Sequence, residues 1–380
     1  MSRDLLLLSL SLFTWGIGES AYYYFQPLYL QELGASPILI GTILGGVGVA
    51  MTLAHIPAGY LADHFGRRAL MWTAWGIGII SGWIMALAKS LPVFTVGILL
   101  YGVTAFVVSP MNSYATEARG KWSVGRAITV LTAAYNAGAM TGPLLGGFIG
   151  DRYGLAKIYL FAACIFLIST CIILLIRRQP VEKQETRKLH KDTLNHQFWK
   201  YLPVMFLAIF SMYLSQPLSS NYLQNQLSLS IRNIGSLGSL GSLGAVVFSL
   251  GLGSLNTNFG FILGQIASGL FAVLLWQGTG LPWFAAGYFF LGGFRTAKSM
   301  AIAYIGGLVS KKNLGLAYGI SESVGGAALI LAPLLAGLLY EQNPRMIYQV
   351  GAGLVVLSLF VSLLYSKTHK AIPVEGGQHG

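Results

Sequence analysis

Twelve apolar runs follow one another along this chain, and they constrain its fold more than any other feature. They cover residues 5–30, 37–61, 69–88, 92–115, 125–150, 155–176, 201–226, 233–255, 259–279, 282–308, 315–340 and 346–365. A helix needs about 20 mostly apolar residues to cross a bilayer. Only 9% of the 380 residues are charged, against about 25% in soluble domains. The sequence therefore predicts an all-α membrane protein with twelve transmembrane helices.

One long polar segment divides these runs into two sets of six. We expect an N-terminal six-helix bundle at 1–176, a cytoplasmic linker at 177–200 and a C-terminal bundle at 201–366. Residues 367–380 are expected to form a disordered cytoplasmic tail.

Positive charge follows the alternation of the loops. With the N-terminus inside, cytoplasmic segments carry seventeen Lys and Arg residues and outer segments carry five. Such a bias orients membrane proteins, and it accounts for the net charge of +12 without a nucleic-acid partner. We expect a multi-pass protein of the cell (inner) membrane, with lipid as its surroundings and both termini in the cytoplasm.

The two sets of helices resemble each other. Three pairs of motifs share a spacing of 190 residues: LPVFTVG at 91 and LPWFAAG at 281, GPLLGG around 143 and APLLAG around 333, and QPL at 26 and 216. Residues 59–66 recur at a spacing of 194. Parallel six-helix repeats around a site near the bilayer midplane are typical of secondary transporters. The run GSLGSLGSLG from Gly235 falls within this pattern, so we interpret it as a close-packed helix face rather than a linker.

The stretch GYLADHFGRR concentrates charge between the second and third runs. It resembles the loop signature of the major facilitator superfamily at Gly59, Leu61, Ala62, Asp63, Gly66, Arg67 and Arg68. The resemblance in architecture covers essentially the whole chain, and it implies two pseudo-symmetric bundles and a monomer. It also implies that Asp63 stabilises the outward-facing state.

The charges of this loop suit a conformational latch. An anion at Asp63 would favour the positive N-terminus of a neighbouring helix, and the glycines permit a tight turn. Glu117 is a candidate partner for Arg67 or Arg68. The alternative is a solvated loop that only obeys the positive-inside rule.

A second motif, GAMTGPLLGG, lies in the fifth run. Its residues Gly138, Gly142, Pro143, Gly146 and Gly147 resemble the helix-five signature of proton-coupled antiporters in this superfamily. Glycines four residues apart let helices pack closely, and proline kinks a helix. A gating role is expected, and a generic packing face is the alternative.

Four ionisable residues fall inside the predicted helices: Glu19, Arg295, Lys298 and Glu322. Each unpaired charge near the membrane centre costs about 2.5–3.5 kcal/mol. At 1.5 Å per residue, Arg295 and Glu322 reach similar depths, and Lys298 shares the face of Arg295. Pairing between helices ten and eleven is therefore feasible, and substrate binding by the cations is the alternative.

Glu19 lies nearer the outer half, with no obvious partner at its depth. Because burial favours the neutral form of a carboxylate, Glu19 is a candidate proton carrier, with Glu322 as a second. The resemblance adds that helices one, four, seven and ten line the cavity. The alternative for Glu19 is a hydrogen-bonded structural residue.

Aromatic and amide side chains accompany these charges and could line an amphipathic pocket. With Arg295 and Lys298, the candidate substrate-binding residues are Trp15, Tyr22, Tyr23, Gln26, Asn112, Tyr135, Asn136, Gln216, Asn221 and Tyr222. Packing or interfacial roles are the alternative for each.

The resulting hypothesis is a secondary transporter that exports amphipathic small molecules against protons, most like the drug:proton antiporters. The cations of helix ten keep organic-anion, sugar or lipid-linked substrates open, and a receptor without flux is a remote alternative. The sequence contains no HExxH, GxSxG or P-loop motif. We therefore expect neither an enzyme nor a cofactor, nor a metal site.

Overall fold

The computed structural model describes residues 1–179, 194–253, 255–310 and 313–368, which form helices joined by short connections. The helices are α1 Arg3–Tyr23, α2 Gln26–Glu32, α3 Pro37–Phe65, α4 Arg67–Leu87, α5 Leu91–Val103, α6 Val108–Ala118, α7 Val124–Tyr153, α8 Leu155–Ile173, α9 His196–Leu214, α10 Ser219–Asn225, α11 Ile231–Leu252, α12 Thr257–Gln277, α13 Leu281–Leu291, α14 Gly293–Gly306, α15 Leu314–Gln342 and α16 Met346–Thr368. A 3₁₀ turn, Thr104–Val107, joins α5 to α6. The expected tail beyond residue 368 lies outside the described residues.

Ten helical segments of the described residues are long and apolar enough to cross a membrane. The other two predicted spans correspond to α7 and to α13 with α14, which carry ionisable side chains. The chain is an all-helical, multi-pass membrane protein, and its helices are consistent with the predicted twelve spans.

Within four predicted spans the structure divides the chain into two helices. The first span breaks after Tyr23, the fourth at the 3₁₀ turn, the seventh around Pro217 and the tenth at Gly292. Proline cannot donate to the carbonyl four residues earlier, and its ring clashes with that carbonyl. Pro27, Pro110 and Pro217 lie just after or within the first three breaks, while a glycine pair marks the fourth.

The GSLGSLGSLG run belongs to α11, which confirms the prediction of a helix. A Cβ atom added at Gly235 would lie 2.8 Å from the Cα of Gly147, and one at Gly244 would lie 2.8 Å from the carbonyl carbon of Phe289. These distances are shorter than real Cβ contacts, so the glycines permit close packing.

Contacts group the chain into two compact units. The first contains residues 1–187, 217–242 and 333–344, and the second contains 188–216, 243–332 and 345–380. Within the first unit, α1 packs along α7 and α8. In the second, α9, α12, α14 and α16 surround a core that includes Phe198, Met205, Phe261 and Ala301.

Candidate proton and substrate sites

The carboxylate of Glu19 on α1 meets the hydroxyl of Tyr135 on α7. The Tyr135 hydroxyl donates to Oε2 of Glu19 at 2.8 Å, and both side chains are partly buried. The expectation that Glu19 has no partner at its depth is therefore wrong. Sequence reasoning placed Tyr135 in a pocket but did not pair it, because depth along a helix says little about its facing direction.

Trp15 and Tyr22 lie about one turn before and one turn after Glu19 on α1, and both contact Tyr101 within the first unit. The indole N–H of Trp15 donates to the Tyr101 hydroxyl at 3.0 Å. Tyr22 is buried, with its ring centroid 5.9 Å from that of Tyr101 in an edge-on arrangement. The Glu19 carboxylate lies close enough to the phenols of Tyr22 and Tyr101 to interact with them electrostatically. The Glu19 carboxylate therefore has polar hydroxyl groups near it within a largely apolar, aromatic part of the helix bundle.

Tyr101 is a site residue that the sequence analysis missed. A signal was available, since Tyr101 and Glu19 lie about 14 and about 16 Å from the outer ends of their predicted spans at 1.5 Å per residue. The resemblance placed both helices beside the cavity, so depth matching between helices one and four would have found this tyrosine.

Glycines of α7 hold the Glu19–Tyr135 pair together. Gly138, Gly142 and Gly146 lie four residues apart on the face of α7 that contacts α1. A Cβ at Gly142 would lie 2.6 Å from the Ile17 carbonyl oxygen, and one at Gly138 would lie 2.9 Å from the Ile17 nitrogen. Only glycine allows so close an approach of two backbones, so these residues fix the crossing that brings Tyr135 to Glu19.

The remaining motif residues face another helix. The Cβ of an alanine at Gly147 would lie 3.1 Å from the Cα of Gly235 on α11, and an added Cβ at Gly235 would overlap the Pro143 carbonyl oxygen. Helix α7 thus contacts α1 through one face and α11 through another.

In the second unit, Lys298 on α14 pairs with Glu322 on α15. Nζ of Lys298 lies 3.4 Å from Oε2 of Glu322, and their side chains are 28% and 55% exposed. This contact joins predicted helices ten and eleven, as the depth argument allows. Arg295, one turn before Lys298, is exposed within the same predicted span.

At the GYLADHFGRR stretch, Arg67 opens α4 and forms an ion pair with Glu117 of α6. The guanidinium of Arg68 lies 3.8 Å from the ring centroid of Trp72. Gly66 has a φ of +83°, which favours glycine. Gly59 and Asp63 belong to helix α3, but the Asp63 side chain lies outside the described part of the structure.

The other candidate pocket residues are dispersed. Tyr23 is exposed, Asn112 and Asn136 are partly buried, and Gln26 and Tyr222 are buried. Gln216 donates to the Met212 carbonyl one turn back at 2.8 Å. Asn221 is buried and contacts α2 instead.

A helical membrane scaffold of repeated halves with ionisable groups inside its helices defines a secondary-transporter class. The Major Facilitator Superfamily model matches residues 8–204 and 201–379. The chain belongs to this superfamily, and it is a transporter rather than an enzyme.

Several similar relatives are multidrug resistance proteins. MdtG of Escherichia fergusonii is 26% identical over 293 residues, covering 72% of this chain and 71% of that protein. For MdtG of an Escherichia coli strain the identity is 26% over 275 residues, and the match spans 70% of this chain but only 62% of that protein. The nucleoside transporter NupG shares the fold, with a TM-score of 0.81 at 15% identity, over 96% of this chain and 99% of NupG.

Proposed function

We propose that this protein exports amphipathic small molecules in exchange for protons by alternating access. The observation that carries the proposal is the Glu19 carboxylate, held by the Tyr135 hydroxyl among aromatic side chains of membrane helices. The similarity to the MdtG multidrug resistance proteins supports export and a broad substrate range.

In this mechanism Glu19 alternates between its charged and protonated forms. The charged form attracts a lipophilic cation, and the partly buried ring of Tyr101 offers a cation–π contact to it. Protonation removes that attraction and lets the substrate leave, so protons and substrate exchange without a covalent step. The 1–176 and 201–366 bundles rock around the site, and the Arg67–Glu117 pair holds α4 to α6 within the first bundle at its cytoplasmic side.

The proposed orientation follows the Lys and Arg bias. Both termini face the cytoplasm, the membrane is the cell (inner) membrane, and the working unit is a monomer. Under this orientation α2 and α10 lie at the outer side, because each follows a span that runs outward.

The test uses everted vesicles with an acidic interior. A fluorescent pH probe reports the pH difference across the membrane. Lipophilic cations are expected to release protons from vesicles that contain the protein, and not from vesicles without it. Organic anions, tested in parallel, are expected to give no signal. No response to any cation, with anions active, would contradict the proposed substrate class.

The second candidate is transport of organic anions, which the exposed Arg295 beside Lys298 favours. Under this alternative, Arg295→Ala would reduce anion flux by about tenfold, because one lost charge–charge contact is worth about 1.4 kcal/mol. Under our proposal Arg295→Ala leaves cation flux within about twofold. Measuring both fluxes for this variant beside Ser299→Ala, an exposed position on the same helix, separates the two functions.

A further inference from the structure

Two short helices of the first unit meet through amide side chains. The Asn221 Nδ2 of α10 donates to the Gln31 Oε1 of α2 at 2.6 Å and to the Pro27 carbonyl at 3.2 Å. Asn225, one turn later, donates to the same Gln31 oxygen at 2.9 Å. Asn221 is 1% exposed, whereas Gln31 and Asn225 are exposed. Gln31 therefore covers Asn221 and shares one oxygen between two donors.

The sequence spacing of the two residues indicates that this contact lies on the axis that relates the two repeats. Asn221 and Gln31 are 190 residues apart, which is the spacing of the repeated motifs. Equivalent positions of two copies related by a two-fold axis meet only on that axis. The amide contact thus lies where a central path between the repeats would pass.

Two helix crossings flank the amides as a symmetric pair. Gly235 of α11 packs on Pro143 and Gly147 of α7, and Gly41 of α3 packs on Pro333 and Gly337 of α15. A Cβ at Gly41 would lie 3.0 Å from the Pro333 carbonyl carbon and 3.3 Å from the Gly337 Cα.

The residues of the two crossings are repeat equivalents of one another. Pro143 and Pro333 are 190 residues apart, as are Gly147 and Gly337, while Gly41 and Gly235 are 194 apart, like the shifted second-helix motif. The same crossing therefore occurs once on each side of the axis.

These contacts close one end of any path along the axis. Release of a substrate at that end requires segments of the two repeats to separate, which breaks the amide contact and both crossings. Hydrogen bonds between neutral groups add modest net stability, because water replaces the lost partner. A closure of this kind holds, yet it opens without a large energetic penalty.

We propose that Gln31, Asn221 and Asn225 form the outer gate of the transport path. The assignment replaces the expected substrate-binding role of Asn221 with a gating role. It rests on the proposed alternating access and orientation, but not on the identity of the substrate or the coupling ion.

The first test locks the gate. Gln31→Cys and Asn221→Cys are combined in a Cys164→Ser, Cys171→Ser background, with a protease site inserted between Arg178 and Asn195. Oxidation is expected to join the fragments on a denaturing gel and to lower flux by about tenfold or more. Reduction is expected to restore the flux. Full flux in the cross-linked protein would overturn the proposal.

The second test needs no substrate and so stands apart from the proposed function. Ser220→Cys, buried beside Asn221, reports opening by its labelling rate with a membrane-impermeant maleimide added outside. Gln31→Ala is expected to raise that rate by about threefold or more, since it removes the shared acceptor. Gln226→Ala, an exposed amide of the neighbouring turn, serves as the control and leaves the rate unchanged. Equal rates in the two variants refute the gate even if no transported compound is found.

Discussion

Glu19→Gln is expected to abolish the proton release that substrate drives, which is the largest effect predicted from the structure. Glutamine keeps the size of the side chain and an oxygen that accepts from the Tyr135 hydroxyl, but it cannot bind and release a proton. In everted vesicles, the signal from lipophilic cations is expected to fall to that of protein-free vesicles. Because shape and hydrogen bond persist, the purified variant should keep its thermal stability.

Tyr135→Phe is the matched comparison. It keeps the carboxylate and removes the donor that holds Glu19 at 2.8 Å, so proton release should be weakened but retained. Wild-type proton release from Glu19→Gln would contradict the role of Glu19. Equal loss in both variants would instead indicate that the hydrogen bond, rather than the titratable group, is what transport requires.

Gly142→Ala should both destabilise the protein and uncouple it. The added Cβ would lie 2.6 Å from the Ile17 carbonyl oxygen and 2.8 Å from the Ala21 nitrogen. Backbone atoms cannot move aside as a flexible side chain can, so α7 must shift from α1. Overpacking of this kind costs about 1–3 kcal/mol. The shift also separates Tyr135 from Glu19, and proton release should fall with the melting temperature in detergent.

Gly125→Ala is the control on the same helix. An added Cβ at Gly125 meets no atom within 4 Å, and alanine is the better helix former by about 1 kcal/mol. Its melting temperature and proton release should match or exceed those of the wild type. If Gly142→Ala behaved like Gly125→Ala, the close crossing of α1 and α7 would be refuted.

Sequence reasoning succeeded where a physical constraint acted on single residues or on whole helices. Hydropathy defined the class of protein, because a bilayer penalises polar surface strongly. The depth argument brought Lys298 and Glu322 together, since intramembrane charges need partners. Glu117 was predicted as a partner for Arg67 or Arg68, and the ion pair with Arg67 forms.

Prediction from the sequence failed where a contact depends on the direction in which a side chain faces around its helix axis. Depth along the helix gave no facing direction for Glu19, so Tyr135 and Tyr101 were not assigned to it. The contact of Asn221 with Gln31, its own repeat equivalent, was likewise not predicted. Helix breaks were missed because hydropathy does not register a lost hydrogen bond, although Pro27 and Pro217 mark two of them.

The meeting of positions 31 and 221 bears on how the chain arose by duplication. In an ancestral dimer of one six-helix unit, this position would have contacted its own copy, and every substitution would have altered both sides together. Fusion of two copies into one chain would remove that restriction. Gln31 is now exposed and accepts two hydrogen bonds, while Asn221 is buried and donates. A longer side chain on one side and a shorter one on the other give a contact that a symmetric ancestor could not encode.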